Sequence, residues 1–291
     1  MKSGFCAVVG RPNVGKSTLV NAMVGTKVAI TSSRPQTTRN AIRGVVTGEG
    51  YQLVLVDTPG LHKPRTELGN RLNQLVAGTL SEADVVLFVV DASARIGPGD
   101  RMIAERLVGS GADVVVAVNK IDRARKERTV EQLVAAAEWP FPEVFPVSAL
   151  TSEGVPELVE GLVKRLEEGP AYFPEGMVTD QPESQVISEI VREKFLDRLS
   201  DELPHSLAVR IEEMEQRKDG LIEIDADVVV ERKSQKGIVI GKGGVLLRDA
   251  GTEARRELET ILGEKVHLRL RVVVEKDWQR RPVLLDRLGF E

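Results

Sequence analysis

The chain has 291 residues, enough for about two domains of ordinary size. Hydrophobic residues make up 42% of it and charged ones 29%, with a formal net charge of −4, which excludes a fibrous or disordered protein and does not mark a polybasic nucleic-acid binder. A single cysteine, Cys6, excludes an internal disulfide and a cysteine-built zinc site, the three histidines are scattered, and no run approaches the ~18 apolar residues of a membrane span. A reducing, cytoplasmic setting is the expectation, with Cys6 a small buried hydrophobe.

In chain order, Phe5–Val9 reads as a strand and Thr18–Met23 as the helix after it. Ala41–Thr47 and Gln52–Val56 read as strands joined by the turn Gly48-Glu49-Gly50. Val85–Val90 and Val114–Val118 are continuous β-branched runs that suit strands buried on both faces of a parallel sheet, and Val144–Val147 is a shorter one. Amphipathic stretches around Leu68–Leu80, Asp100–Val108, Thr129–Glu138 and Val155–Leu166 alternate with them. That alternation predicts a doubly wound α/β domain with its ligand at the carboxyl ends of the strands. The Pro/Gly content of 171–184 marks a linker between domains at 1–170 and 185–291. Beyond it come a helix over Ser184–Leu199, strands Ser206–Glu213 and Leu221–Glu231, a Gly-rich run, a helix through Leu262, strand Lys265–Val274 and a last short helix.

The first chemical motif is Gly10-Arg11-Pro12-Asn13-Val14-Gly15-Lys16-Ser17, set between strand and helix and followed by Thr18. Glycines let backbone N–H groups converge on an anion, and the helix N-terminus adds its positive end. Lys16 is expected at the β- and γ-phosphates and Ser17 at Mg²⁺. Asp57-Thr58-Pro59-Gly60 closes a strand at the same edge, where Asp57 can hold the metal and the Gly60 N–H can sense a γ-phosphate, with Leu61 alongside. The polar loop Thr31–Arg39 should supply one more metal ligand, Thr38 in preference to Thr37. Asn119-Lys120-Ile121-Asp122 ends another strand. The Asp122 carboxylate can accept from guanine N1–H and its exocyclic amine, donors that adenine lacks, so the motif selects GTP. Ser148-Ala149 is placed for a backbone N–H to reach guanine O6.

In the second half, Val239-Ile240-Gly241-Lys242-Gly243-Gly244 precedes a long amphipathic helix. A Gly-x-x-Gly loop in this setting clamps a nucleic-acid backbone beside an apolar groove for unstacked bases. Residues 231–256 hold seven basic side chains against three acidic ones, a local reversal of the global charge. The candidates are Arg232, Lys233, Lys236, Ile240, Gly241, Lys242, Gly243, Gly244 and Arg248.

These motifs together resemble the TRAFAC-class GTPases. The wording Gly-Arg-Pro-Asn-Val-Gly-Lys-Ser, Pro-Gln-Thr-Thr-Arg and Asp-Thr-Pro-Gly-Leu-His-Lys-Pro resembles the Era family in particular, and that likeness covers nearly the whole chain. It implies a P-loop GTPase domain followed by a smaller α+β type-2 KH domain. It implies a monomeric switch, alternating between GTP and GDP, that binds 16S rRNA, assists maturation of the 30S ribosomal subunit and associates peripherally with the inner membrane. Lys16, Asp57, Gly60, Thr38 and Asn13 are then the catalytic set. Leu61 stands immediately after Gly60, then His62, and no glutamine is placed to orient water, so slow intrinsic hydrolysis is expected. In relatives with asparagine at the position of Asn13, that side chain helps bind K⁺ beside the phosphates. Two rival readings are a GTPase whose second domain binds protein or membrane, and an RNA-binding module with a vestigial nucleotide site.

Overall fold

In the first half of the chain the apolar runs become strands of one sheet, and where they run parallel the residues at their carboxyl ends become loops on one edge of it. The computed structural model describes residues 1–32, 34, 37–60, 66–200 and 203–290. The chain divides into two units: Met1–Ala29, Thr38–Lys63 and Leu72–Asp180 form the first, and Ile30–Thr37, Pro64–Arg71 and Gln181–Glu291 the second.

The first unit runs β1 (Lys2–Val9), α1 (Lys16–Val24), β2 (Ile42–Gly48), β3 (Tyr51–Asp57), α2 (Glu67–Glu82, its first turns counted with the second unit), β4 (Val85–Asp91), α3 (Pro98–Ser110), β5 (Val114–Asn119), α4 (Lys126–Ala137), β6 (Glu143–Val147) and α5 (Val155–Lys164). The strand order is β2-β3-β1-β4-β5-β6, parallel except for β2 against β3. Alternate residues feed opposite faces, as the two-residue period of a strand requires. Cys6, Val8, Leu55 and Leu87 pack on α1 and α5 through Leu19, Val20, Leu158 and Leu162. Ala7, Val9, Phe88 and Val116 pack on α3 and α4 through Ile103, Leu107 and Ala136. Parallel strands covered on both faces explain the unbroken valine runs. Val8 pairs with Asp57, Asp91 with Asn119, and Asn119 with Val147, so the motif-bearing strand ends share one edge.

Residues 171–180, read as a linker, are bonded into this unit. Gln52, buried in β3, accepts from the Tyr172 and Phe173 N–H groups at 2.7 and 2.9 Å and donates to the Phe173 carbonyl at 2.9 Å. The Val45 N–H donates to Val178, Thr179 donates to the Arg43 carbonyl, and Arg43 pairs with Asp180 at 2.6 Å. Pro and Gly shape the strap without freeing it.

The second unit contains α6 (Glu183–Leu196), α7 (Leu203–Ser206), β7 (Ala208–Gln216), β8 (Ile222–Val230), α8 (Lys233–Ile240), a 3₁₀ turn Lys242–Gly244, α9 (Val245–Leu262), β9 (Val266–Val274), a 3₁₀ turn Trp278–Arg280 and α10 (Pro282–Arg287). β7 and β8 are antiparallel, and β8 and β9 are parallel, so α8 and α9 form the crossover between them. Val191, Phe195, Val228, Val239, Ala250 and Ala254 build the core. On β8 the intervening Asp225 and Asp227 pair with Arg269 and Arg271 of β9, which keeps that strand's charged residues off the core. The Thr31 N–H donates to Glu193 of α6 at 2.8 Å, and Arg34 donates to the carbonyl of Leu199, beyond the end of that helix, at 2.9 Å. Among the described residues no helix is long and apolar enough to cross a membrane.

Candidate functional site

The turn from β1 into α1 is shaped by glycine. Gly10 has φ +154°, and a Cβ there would collide with the Val89 carbonyl oxygen. Gly15, the N-cap of α1, has φ +96°, and a Cβ would collide with the Asn119 amide nitrogen. The helix therefore starts with its N–H groups facing the hollow of the loop. Lys16, 7% exposed, donates to the Gly10 and Arg11 carbonyls at 3.2 Å each and so lies across that hollow.

Beyond Lys16 three oxygens converge. Ser17 Oγ donates to Asp57 Oδ2 at 2.6 Å and lies 2.9 Å from Thr38 Oγ1, which is itself 3.2 Å from Asp57 Oδ2. Thr37 instead turns its hydroxyl to the Arg34 carbonyl, so it is Thr38 that approaches Ser17 and Asp57. Asp57 is fully buried, and its other oxygen, Oδ1, has no hydrogen-bond partner. Burial pushes the Asp57 carboxyl up and the Lys16 ammonium down, and each opposes the other's shift through its charge. One orphaned carboxylate oxygen beside two hydroxyls suits a hard divalent cation whose remaining ligands are waters and phosphate. Among the described residues no group of three or more His, Cys, Asp and Glu could hold a metal unaided.

Thr58 donates to the Val8 carbonyl at 2.7 Å, so its side chain ties β3 to β1. Gly60 faces Pro12 so closely that a Cβ would lie 2.9 Å from the Pro12 nitrogen. Leu61 and His62 lie outside the described residues, as do Ser33, Pro35 and Gln36 of the polar loop.

At the next strand ends Asn119 is a hub. It donates to the Val14 carbonyl at 3.0 Å and accepts from the Lys120 and Ala149 N–H groups at 2.8 and 3.0 Å, joining the phosphate loop to the loop after β6. In the Ser148-Ala149 loop, expected to offer a backbone N–H to guanine O6, the Ser148 N–H donates to the Glu153 carbonyl at 2.9 Å and the Ala149 N–H to Asn119. Lys120, with φ +69°, reaches the Asn13 carbonyl and pairs with Asp91 at 2.7 Å. Ser148 donates to Asp122 Oδ1 at 2.6 Å, fixing a carboxylate that otherwise faces solvent. Asp91 was missed from sequence, although a strand-end acid at this same edge was the signal available. Arg11, a residue of the phosphate loop, directs its guanidinium to Asp100.

In the second unit Gly241 (φ +76°), Gly243 (+62°) and Gly244 (+75°) all take backbone angles that favour glycine. A Cβ on Gly241 would also meet Leu246 at 2.8 Å. Arg232, Lys233, Lys236, Lys242 and Arg248 are exposed around this turn, whereas Ile240 is half-buried against the core. Beside it lies a cavity of about 350 Å³ lined by Gly244, Leu247, Gly251, Leu268 and Leu270, with Arg248 and Arg255 at its walls. A glycine turn, a cationic rim and an apolar groove are the parts a single-stranded nucleic acid needs.

Two family models match, "50S ribosome-binding GTPase" over residues 5–120 and "KH domain" over 202–279. The GTPase Era of Mycobacterium tuberculosis H37Rv is 55% identical over 295 residues, covering 99% of this chain and 98% of that protein. The crystal structure of a point variant of Aquifex aeolicus Era bound to GDP·AlF4⁻ superposes with a TM-score of 0.95 at 38% identity, over 100% of this chain and 99% of that one. A structure of Era in complex with MgGDPNP and nucleotides 1506–1542 of 16S ribosomal RNA matches with the same score, identity and coverage. The chain belongs to the Era family: it is a GTPase with a P-loop α/β domain and a C-terminal KH domain.

Proposed function

We propose that this GTPase seats GTP over Gly10–Ser17, reads guanine with Asp122, and uses the turn at Gly241–Gly244 to hold 16S rRNA during maturation of the 30S subunit. The observation that carries the nucleotide half is the unpartnered Asp57 oxygen beside Ser17 and Thr38. These three residues would hold Mg²⁺, directly or through water, and the ion, when bound, supplies charge that offsets the phosphate oxygens. The Lys16 ammonium, released from the Gly10 and Arg11 carbonyls, pairs with β- and γ-oxygens. The loop N–H groups supply fixed dipoles where negative charge grows during water attack. Asn13, exposed in the phosphate loop, would help hold a K⁺ beside the phosphates, and replacing K⁺ by Na⁺ should then slow turnover.

The RNA half rests on the glycine turn and its groove, and on the Era structure that contains the 16S fragment. Coupling between the halves has a basis in the chain itself: the loop expected to sense the γ-phosphate runs from Ile30–Thr37, counted with the second unit, into Thr38 of the first. A ligand that orders this loop shifts both ends of it, and linkage makes the effect reciprocal. The test is phosphate release by the full chain with and without an oligonucleotide of the 16S 3′ end. RNA should change the GTP affinity or turnover, and Gly241→Asp should abolish both RNA binding and the change. Identical affinity and turnover with and without bound RNA would refute the coupling.

A further inference from the structure

The side chain of Arg11 leaves the phosphate loop and grips a helix distant in sequence. Its Nε donates to Asp100 Oδ1 at 2.7 Å. Asp100 is 1% exposed and sits in the first turn of α3, where its Oδ2 accepts the Gly97 N–H at 2.9 Å and its own N–H returns to the Gly97 carbonyl at 3.1 Å. Both carboxylate oxygens are thus fixed, and removing Arg11 would leave a buried charge without its cation. The stem of Arg11 crosses the backbone of Gly99, where a Cβ would fall 2.7 Å from Arg11 Cδ. Two contacts made by the loop depend on where this anchor holds it. The Arg11 carbonyl accepts from Lys16, and the next residue, Pro12, packs against Gly60.

We propose that Arg11 and Asp100 are a positioning pair that fixes the phosphate loop to the start of α3 and thereby sets the distance between Pro12 and the γ-phosphate-sensing Gly60. The proposal rests on the guanine-nucleotide reading of this site. It assigns the Arg11 guanidinium a role away from the nucleotide. Loosening the pair affects the triphosphate more than the diphosphate, because Gly60 serves only the γ-phosphate.

The test measures dissociation constants of GDP and of GDPNP with Mg²⁺ on the full chain, together with thermal melting, for the wild type, Arg11→Ala, Arg11→Lys, Asp100→Asn and the double variant Arg11→Ala/Asp100→Asn. Asp100→Asn keeps an acceptor for Gly97. Each of Arg11→Ala and Asp100→Asn should weaken GDPNP about tenfold, within the usual range of coupling between linked sites, and GDP by less than about threefold. The double variant should be no worse than the weaker single variant, because the two residues act as one unit. Arg11→Lys should recover most of the loss. A merely structural role would lower the melting temperature and weaken both nucleotides equally. Equal losses, unchanged GDPNP binding, or additive effects would each overturn the proposal. Should Asp100→Asn fail to fold, the Arg11→Ala and Arg11→Lys pair decides alone. A wild type that binds neither nucleotide overturns the site reading and this proposal with it; a wild type that binds both while the variants match it overturns the pair alone.

Discussion

Asn119→Ala removes three hydrogen bonds at once from the seam between the phosphate loop and the loop after β6. Each is worth about 1 kcal/mol net, and the buried Val14 carbonyl and Ala149 N–H left behind raise the total to about 3–5 kcal/mol. For a unit of this size about 2–4 °C of melting temperature is lost per kcal/mol, so the transition of the first unit should fall by about 6–20 °C. The assay is thermal unfolding of the nucleotide-free protein followed by circular dichroism. Arg128→Ala is the control: it removes a surface pair with Glu131, spaced 2.8 Å, of a kind worth about 0–1 kcal/mol, and should shift the transition by no more than about 4 °C. If Asn119→Ala melted no lower than that control, the hub assigned to Asn119 would be wrong.

Asp91 carries a pH dependence of definite sign. Burial raises its pKa, but bonds from Lys120 and Ser93 outweigh that and leave the carboxyl below its ordinary value of 3.8. A depressed folded-state pKa stabilises the protein above 3.8 and ceases to do so as pH falls below it, so the melting advantage over Asp91→Asn should be full near neutrality and shrink in acid. Lys242→Ala should weaken binding of single-stranded RNA and reduce the slope of log K against log salt by about 0.7, as measured by titration at several KCl concentrations. Cys6 is fully buried and its thiol is pushed up to about 12, so it should stay unlabelled by a thiol reagent at about pH 8 until the first unit unfolds.

What the sequence made legible was whatever local chemistry dictates. Continuous valine runs suit strands covered on both faces, and a glycine-bounded loop before Lys16 has few uses other than holding phosphate. The strand order was not legible, because the position of β1 between β3 and β4 depends on crossovers that no local pattern encodes. The strap after residue 170 looked like a linker because Pro and Gly report backbone shape, while its anchor, Gln52, lies far away in sequence. Asp100 passed for an ordinary first-turn acid of a helix, and its link to Arg11 exists only in the folded sheet. Sequence alone left Thr37 and Thr38 side by side as candidates, and it is the approach of Thr38 to Asp57 that separates them physically.

The most direct test of the account is competition for the nucleotide site. With a fluorescent GDP bound to the full chain in Mg²⁺ and K⁺, GTP should displace the probe at concentrations at least about a hundredfold lower than ATP, because adenine lacks the N1–H and 2-amino group that the Asp122 carboxylate would accept from. Displacement by ATP and GTP at the same concentration would contradict it.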